Sequence, residues 1–463
     1  MDEEIRKAGS RTAPAKAHCA KNGMRREKAA CGWFWFYFYN IFIIPLLFAA
    51  MEIARLFLPK VRDGIRERRG LFPSLRAAGS KLESGRRFVV IHCTSAGEFE
   101  AARPVIAKIK ERLPTVKVHV TCYSPSGMKL LKKAEEVESY SYLPFDDLRS
   151  ARRFFRILNP VAFLIVKHDV WPNMVWAASA RNIPIFWINA NLHPRTRRLK
   201  PLSRCLNRSF LSVIDEILTV DDDHAVRFSR LVSPSRVHVI GDSRYDRTLE
   251  RARMPMVGAE TRALEEKLKS HRVIVAGSTW GADQRILIPV FAKLKNEYHN
   301  LRLILVPHEP KEEFLADTQD YLKGYGLSYS RYTELKKEQQ TTDVYIVDKV
   351  GVLASLYRMA WVAYVGGAFG KGVHSVLEPA AYRLPLFFGP NYYMSHEAAR
   401  LVQRGGAWSV ASSLELEEKL QLLLEDARKW DTAAQASGDF VLMGAGATES
   451  IVAHLEQYLA VGS

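Results

Sequence analysis

The sequence predicts an α/β protein in which an N-terminal membrane anchor leads into two doubly wound, Rossmann-like domains facing a cleft. Three observations point there. An uncharged apolar segment sits near the N-terminus, and two successive series of short β-branched and aromatic runs alternate with helix-like stretches. The third is that glycine-rich or small-residue turns follow several of those runs, where open α/β sheets place their ligands. A chain of 463 residues with 48% hydrophobic content has ample material for two or three cores.

Residues 1–31 are expected to be a flexible basic lead. Residues 32–60 are expected to be the anchor. Trp33 to Tyr39 are all aromatic and Ile41 to Ala50 are apolar, interrupted by Asn40 and Pro45. Such a run is about long enough to cross a bilayer, and the aromatics suit its interface. A cleaved signal peptide competes, because Ala49 and Ala50 are small, but the apolar run exceeds an ordinary signal core. Residues 1–90 hold 18 Lys/Arg against 8 Asp/Glu, more than half of the +17 net charge. A charge excess gathered around an apolar segment points to anionic lipid and away from nucleic acid. Arg62, Arg66, Arg68 and Arg69 follow the segment, so the later domains are expected on the cytoplasmic side of the inner membrane. The five cysteines (19, 31, 93, 122 and 205) show neither a disulfide framework nor metal-ligand spacing.

The first series of strands is expected at 88–93, 117–122, 161–166, 184–189, 216–220 and 237–240, within a domain spanning 61–250. The second is expected at 272–276, 301–306, 343–347, 361–365, 385–388 and 407–410, within a domain spanning 266–463. Several are continuous apolar runs, as in parallel strands covered on both faces. Residues 251–265, with Pro255 and Gly258, are the expected hinge.

Candidate functional residues fall at strand ends. Thr94-Ser95-Ala96-Gly97-Glu98 opens a helix; Glu98 suits the helix dipole and equally suits a general base. Lys167-His168-Asp169 puts three ionisable groups after an apolar strand, ahead of Trp171-Pro172-Asn173. Gly241 to Asp246 brings Arg244 to where a cation would meet a phosphate leaving group. Ala276-Gly277-Ser278-Thr279 and Val306-Pro307-His308 end two strands of the second series. The Tyr364–Pro379 stretch carries four glycines within seven residues and then His374 and Glu378. Glycines and a helix start offer backbone N–H groups to a phosphate, and Glu378 can reach a ribose.

In their order and spacing these elements resemble the 3-deoxy-D-manno-octulosonic acid (Kdo) transferases, over roughly residues 31 to 460. The elements are Ser95 to Glu98, Trp171-Pro172-Asn173, Asn189 to Leu192, Gly241 to Asp246, Ala276 to Thr279, Val306-Pro307-His308, Gly366-Gly367 through Pro379, and Phe388-Gly389-Pro390. The resemblance implies a GT-B fold and an inverting transfer of Kdo from CMP-Kdo to a lipid A precursor. The strand-end loops are read as holding no Asp-x-Asp motif and the chain as holding no His-Glu-x-x-His element, so no obligatory divalent ion and no cofactor are expected. The resemblance also implies Glu98 as catalytic base, with Asp169 and Arg244 stabilising the transition state. For CMP it implies Pro307, His308, Val350, Gly351, Val352 and Ser375, Val376, Leu377, Glu378, and the small-residue turns add Ser278, Thr279 and Gly367. Three positions depart from the family pattern: Lys167-His168-Asp169 replaces Glu-Thr-Glu, His308 stands where Arg is common, and Ser375 where Asn is common. A UDP-sugar enzyme of the same fold and a non-catalytic protein binding anionic lipid stay open.

Overall fold

The computed structural model describes residues 29–80, 87–194, 196–255, 258–335 and 341–460; nearly all of the expected basic lead lies outside the described residues. The chain divides into two compact units. The first comprises residues up to Ala102, Ile109–Ile240 and those from Ala453 on; the second comprises Arg103–Lys108 and Gly241–Val452.

The first unit is built on a seven-stranded sheet: β1 (Arg87–Cys93), β2 (Val116–Cys122), β3 (Ser139–Tyr142), β4 (Ala162–Val166), β5 (Ile185–Ala190), β6 (Glu216–Thr219) and β7 (Val237–Val239). Their order is β3-β2-β1-β4-β5-β6-β7, and every pairing is parallel. Parallel strands need crossovers, and the helices that supply them cover both faces. Consecutive residues of β1 (Val89, Val90 and Ile91) are therefore all fully buried. The helix Leu148–Leu158 shows how one crossover is specified. Asp147 caps it by accepting from the Ser150 N–H at 2.9 Å, and Ala151, Phe154, Phe155 and Leu158 form its buried face. Asn159 ends it in a left-handed conformation, φ 40°.

The second unit repeats the plan with β8 (Arg272–Thr279), β9 (Leu301–Pro307), β10 (Tyr329–Arg331), β11 (Val344–Ile346), β12 (Val362–Val365), β13 (Leu386–Phe388) and β14 (Ala407–Ser409). The order is β10-β11-β9-β8-β12-β13-β14, again all parallel. Strand alternation divides its core in two. Val273 and Val275 join the cluster that holds Tyr357, Leu377 and Phe440, whereas Ile274 and Ala276 join the one that holds Leu287, Phe291 and Leu420.

Three boundaries differ from expectation. The residues from Ala453 on, expected in the second domain, belong to the first unit. The units divide at Ile240 and Gly241, not after residue 250, because the helix Ser243–Arg253 belongs to the second unit. There Arg244 pairs with Glu397, Tyr245 packs on the Phe440 ring and Arg251 pairs with Glu378. Much of the expected hinge is accordingly helical, as Ser243–Arg253 and Ala259–Leu268.

Gly32–Phe57 is a single helical stretch, long and apolar enough to cross a membrane. It is docked to the first unit along one face. The Tyr39 hydroxyl donates to Asp146 Oδ2 at 2.8 Å, Asn173 Nδ2 donates to Asn40 Oδ1 at 3.0 Å, Phe36 meets Trp176 edge to face, and Phe48 meets Phe145. Trp33, Phe34, Ile41, Phe42, Leu46, Ile53, Leu56 and Phe57 remain more than half exposed. Pro45, which cannot donate to the carbonyl four residues back, follows a π turn at Tyr39–Ile43. Asp146 is buried, and burial pushes its carboxyl up to about 7 against the Tyr39, Asn173 and Met174 donors. Tyr39→Phe removes the shortest of those hydrogen bonds from a buried acceptor, so a loss of about 1–3 kcal/mol is expected. Thermal unfolding and faster proteolysis of the 32–57 helix are the measurements that check it.

Arg68, one of the four arginines after the apolar segment, is not a solvated flanking charge. It is only 9% exposed and donates to the Leu143, Gly64 and Tyr123 carbonyls. Its guanidinium lies 4.5–4.9 Å from the Tyr123, Tyr142 and Phe145 ring centroids. It holds the segment after the apolar helix onto the domain.

Candidate functional site

In a doubly wound sheet the strand order reverses at one point, and the loops leaving the two central strands there splay apart to leave a crevice. In the first unit that point lies between β1 and β4, in the second between β8 and β12. The loops after β1, β4, β8 and β12 sit at these two places; Pro307 ends β9, with His308 next, and Val350–Val352 follows β11, on one side of the second, while Gly241–Asp246 follows β7 at the far edge of the first sheet.

At the first, Ser95 caps the helix Ala96–Arg112, and Glu98 turns back so that Oε2 accepts from the Thr94 N–H at 2.5 Å. Glu98 is 5% exposed, and its carboxyl is pushed above the ordinary value. Burial is the largest cause; the Asp169 charge adds to it, while the Thr94 and Ser95 N–H groups and Lys167 oppose it. The loop after β4 is therefore within electrostatic reach of Glu98. Lys167 adopts φ 69°, rare for a residue with a side chain, and the position is held by its N–H on the Ile188 carbonyl and by Trp187 Nε1 on its own carbonyl at 2.8 Å. Arg198, which sequence reading missed, donates through Nη2 to the His168 carbonyl at 3.0 Å. It lies thirty residues downstream, in a loop that only the fold returns to β4.

At the second switch point, Ser278, Pro307, His308, Val350 and Gly351 border one cavity of about 110 Å³ together with Val306, Pro310, Lys349 and Leu353. Five of the residues expected at the donor nucleotide, from three separate stretches, are thus brought to one cavity. Thr279 is buried and donates toward the Val306 carbonyl. Gly367, at φ 96°, donates its N–H to Asp283 Oδ2 at 3.0 Å. Val352 packs against the core and caps the short helix Leu353–Leu356. Ser375 is exposed. Val376 and Leu377 are 2% and 4% exposed and belong to the core, so their side chains serve packing. Glu378 Oε1 accepts from Arg251 Nη1 at 2.8 Å. Arg244 is bound by two carboxylates, Asp242 at 2.7 Å and Glu397 at 2.6 Å, so its charge is already answered within the unit.

Three further residues support this end of the sheet. Asp283 accepts from the Trp280 and Gly367 N–H groups and from the Tyr364 hydroxyl, tying the loop after β8 to the glycine turn after β12. Burial raises its pKa against those three donors. Trp280, His308 and His374 stack in sequence, with ring centroids 4.7 and 4.4 Å apart. Trp280 Nε1 donates to His374 Nε2 at 3.2 Å, and burial followed by the neighbouring His308 lowers the His374 pKa. A carboxylate at the third helical position after a strand-end loop was a legible signal for Asp283. In the first unit, Asp221-Asp222-Asp223 matches an Asp-x-Asp pattern in sequence, but Asp221 caps the helix Asp222–Phe228 and Asp223 pairs with Arg227.

A family model described as 3-deoxy-D-manno-octulosonic-acid transferase (kdotransferase) matches residues 63–247. The chain is 26% identical over 435 residues to the 3-deoxy-D-manno-octulosonic acid transferase of Haemophilus influenzae, covering 92% of this chain and 99% of that one. In fold it is similar to the UDP-GlcNAc 2-epimerase of Neisseria meningitidis, with TM-score 0.60, 15% identity, and coverage of 80% of this chain and 100% of that one. It is likewise similar to a glycosyltransferase from Rickettsia africae, with TM-score 0.52, 12% identity, and coverage of 81% and 98%. These likenesses and the two parallel-sheet units bear out the expected GT-B class. In sequence, then, the chain is similar to the 3-deoxy-D-manno-octulosonic acid transferases, through a family model over residues 63–247 and a relative that it matches along both units.

Proposed function

We propose that the protein transfers Kdo from CMP-Kdo to a lipid A precursor at the inner-membrane surface. The observation that carries the reading is the cavity in the second unit. Residues expected to hold the cytidine nucleotide, as far apart as Ser278 and Gly351, border one space beside the glycine turn. Ser278 and Gly351, with little or no side chain, leave room there for a nucleotide phosphate, whereas the N–H groups of Gly366, Gly367, Gly370 and Gly372 are spent on Asp283 and on carbonyls of Gly277 and Gly367, so that turn serves close packing.

In this mechanism Glu98 takes the proton from an acceptor hydroxyl as the oxygen attacks the anomeric carbon, and the bond to the CMP phosphate breaks on the opposite side. One base suffices for such an inverting displacement, and no metal is invoked. A raised pKa makes the buried carboxylate a stronger base than an exposed glutamate. Asp169 sustains that basicity; Arg244, held by Asp242 and Glu397, acts in this reading through the conformation of its loop. The exposed apolar face of the 32–57 helix keeps the enzyme at a surface where its acceptor resides.

Incubating purified full-length protein with CMP-Kdo and lipid A precursor should release CMP and add Kdo to the lipid by mass spectrometry. Release of no CMP would rule the reaction out, and turnover of a UDP-sugar in its place would favour the other enzyme reading. Activity should fall as pH drops through the Glu98 pKa, because only the ionised base accepts a proton. Asp169→Asn removes a negative neighbour, so the acidic limb of the kcat profile should move to lower pH; Lys167→Met should move it higher. Unmoved limbs in both variants would detach Glu98 from the proton transfer.

A further inference from the structure

We propose that Arg198 is an anion receptor of the first unit, taking a phosphate monoester carried by the sugar acceptor. The inference rests on the proposed function only in that the reaction supplies a phosphorylated acceptor. Arg198 lies in the 3-10 turn Arg197–Leu199, which Thr196 caps through Oγ1. Its guanidinium packs over the ring of Trp187, with Cζ 5.3 Å from the centroid, and Nη2 is spent on the His168 carbonyl. Nη1 is buried and makes no hydrogen bond. Among the described residues no carboxylate lies within ion-pair distance of it, although Asp169 is near enough for its charge to be felt.

The loop after β4, whose His168 carbonyl Arg198 holds, repeats the condition at its far end, since Trp171 Nε1 is also buried without a partner while its ring stacks on Tyr123. A buried donor left unmatched costs about 1–3 kcal/mol, and a charged one costs more. Native proteins keep such groups where something else completes them. Both groups are donors with no accepting capacity, so the missing partner must accept. A guanidinium held rigidly on an aromatic ring suits the oxygens of a phosphate better than a flexible ammonium would. Asp169 and Glu98 fix its place: the loop that Arg198 braces through His168 carries the aspartate that raises the Glu98 pKa. An acceptor phosphate bound there would bring the attached sugar beside the base.

The test uses full-length protein in phospholipid-free non-ionic detergent, with Arg198→Gln and Arg198→Lys. With CMP saturating the second unit, inorganic phosphate should raise the melting temperature of the native protein and leave that of Arg198→Gln unmoved; equal shifts in both overturn the proposal. In steady-state assays Arg198→Gln should raise KM for the phosphorylated acceptor roughly ten- to hundred-fold, the loss expected for a charged hydrogen bond. KM for CMP-Kdo and for an enzymatically dephosphorylated acceptor should stay put, with Arg198→Lys intermediate. A rise of equal size with both acceptors would make Arg198 structural and overturn the proposal. Discrimination that appears only with phosphatidylglycerol vesicles would assign the site to a membrane headgroup and overturn it as stated. Should Arg198→Gln not fold, the same comparisons are made with Arg198→Lys. Failure of the native protein to transfer Kdo would remove the proposed function, and the phosphate-induced melting shift would still decide for or against the receptor.

Discussion

Glu98→Gln is expected to lower kcat by about 10²–10⁴-fold, the range supplied by a positioned general base, while leaving KM for CMP-Kdo nearly unchanged. Glutamine is the informative replacement because of what Glu98 does locally. Its Oε2 accepts the Thr94 N–H, and an amide oxygen can keep that bond. Glu98→Ala would also remove this contact at the helix start and cost about 1 kcal/mol of stability, confounding chemistry with folding. Pre-steady-state measurement of CMP release, beside a melting curve, separates the two effects. A Gln variant that melts like the native protein and still turns over at a comparable rate would leave the base assignment without support.

Gly366→Ala should cost about 3 kcal/mol or more of stability, and CMP affinity should fall at least ten-fold as β8 and β12 are pushed apart. A Cβ at Gly366 would lie 2.4 Å from the Ser278 carbonyl oxygen and 2.7 Å from Thr279 Cα, both backbone atoms that cannot swing aside. The same approach lets the Gly366 N–H reach the Gly277 carbonyl at 2.9 Å, which closes the end of the sheet beside the cavity. Gly370→Ala is the internal control: in the same turn, its Cβ would meet only the Gly367 carbonyl oxygen at 3.5 Å, an ordinary contact. Melting curves and calorimetric CMP titration of the two variants give the comparison. Equal behaviour would mean that the turn tolerates side chains and owes its glycines to something other than close approach.

Many of the strands legible in the sequence were mostly apolar runs, since a strand covered on both faces buries nearly every side chain. The two that escaped, β3 with Ser-Tyr-Ser-Tyr and β10 with Tyr-Ser-Arg, lie at sheet edges. An edge strand has one neighbour and partial solvent exposure, so it can be polar, as these two are; β7 and β14, at the opposite edges, were legible because Val237, Val239 and Trp408 keep the apolar signal. The same limit explains Arg68, which in sequence is one more arginine after an apolar helix and in the fold is buried among three aromatic rings.

The class of each unit, the strand ends where the candidate loops leave the sheets, and the family resemblance were legible in the sequence, because these rest on local periodicity and on motifs contiguous in the chain. Tertiary structure alone decided which charges meet. Glu378 finds Arg251, Arg244 is held between Asp242 and Glu397, and Asp283 anchors Gly367 from 84 residues away. It also decided that Tyr39 and Asn40 turn toward Asp146 and Asn173 while the rest of the apolar helix faces outward. The reason is physical: the electrostatic environment of a side chain is set by neighbours that the parallel crossovers return from distant segments, and no spacing along the chain encodes it.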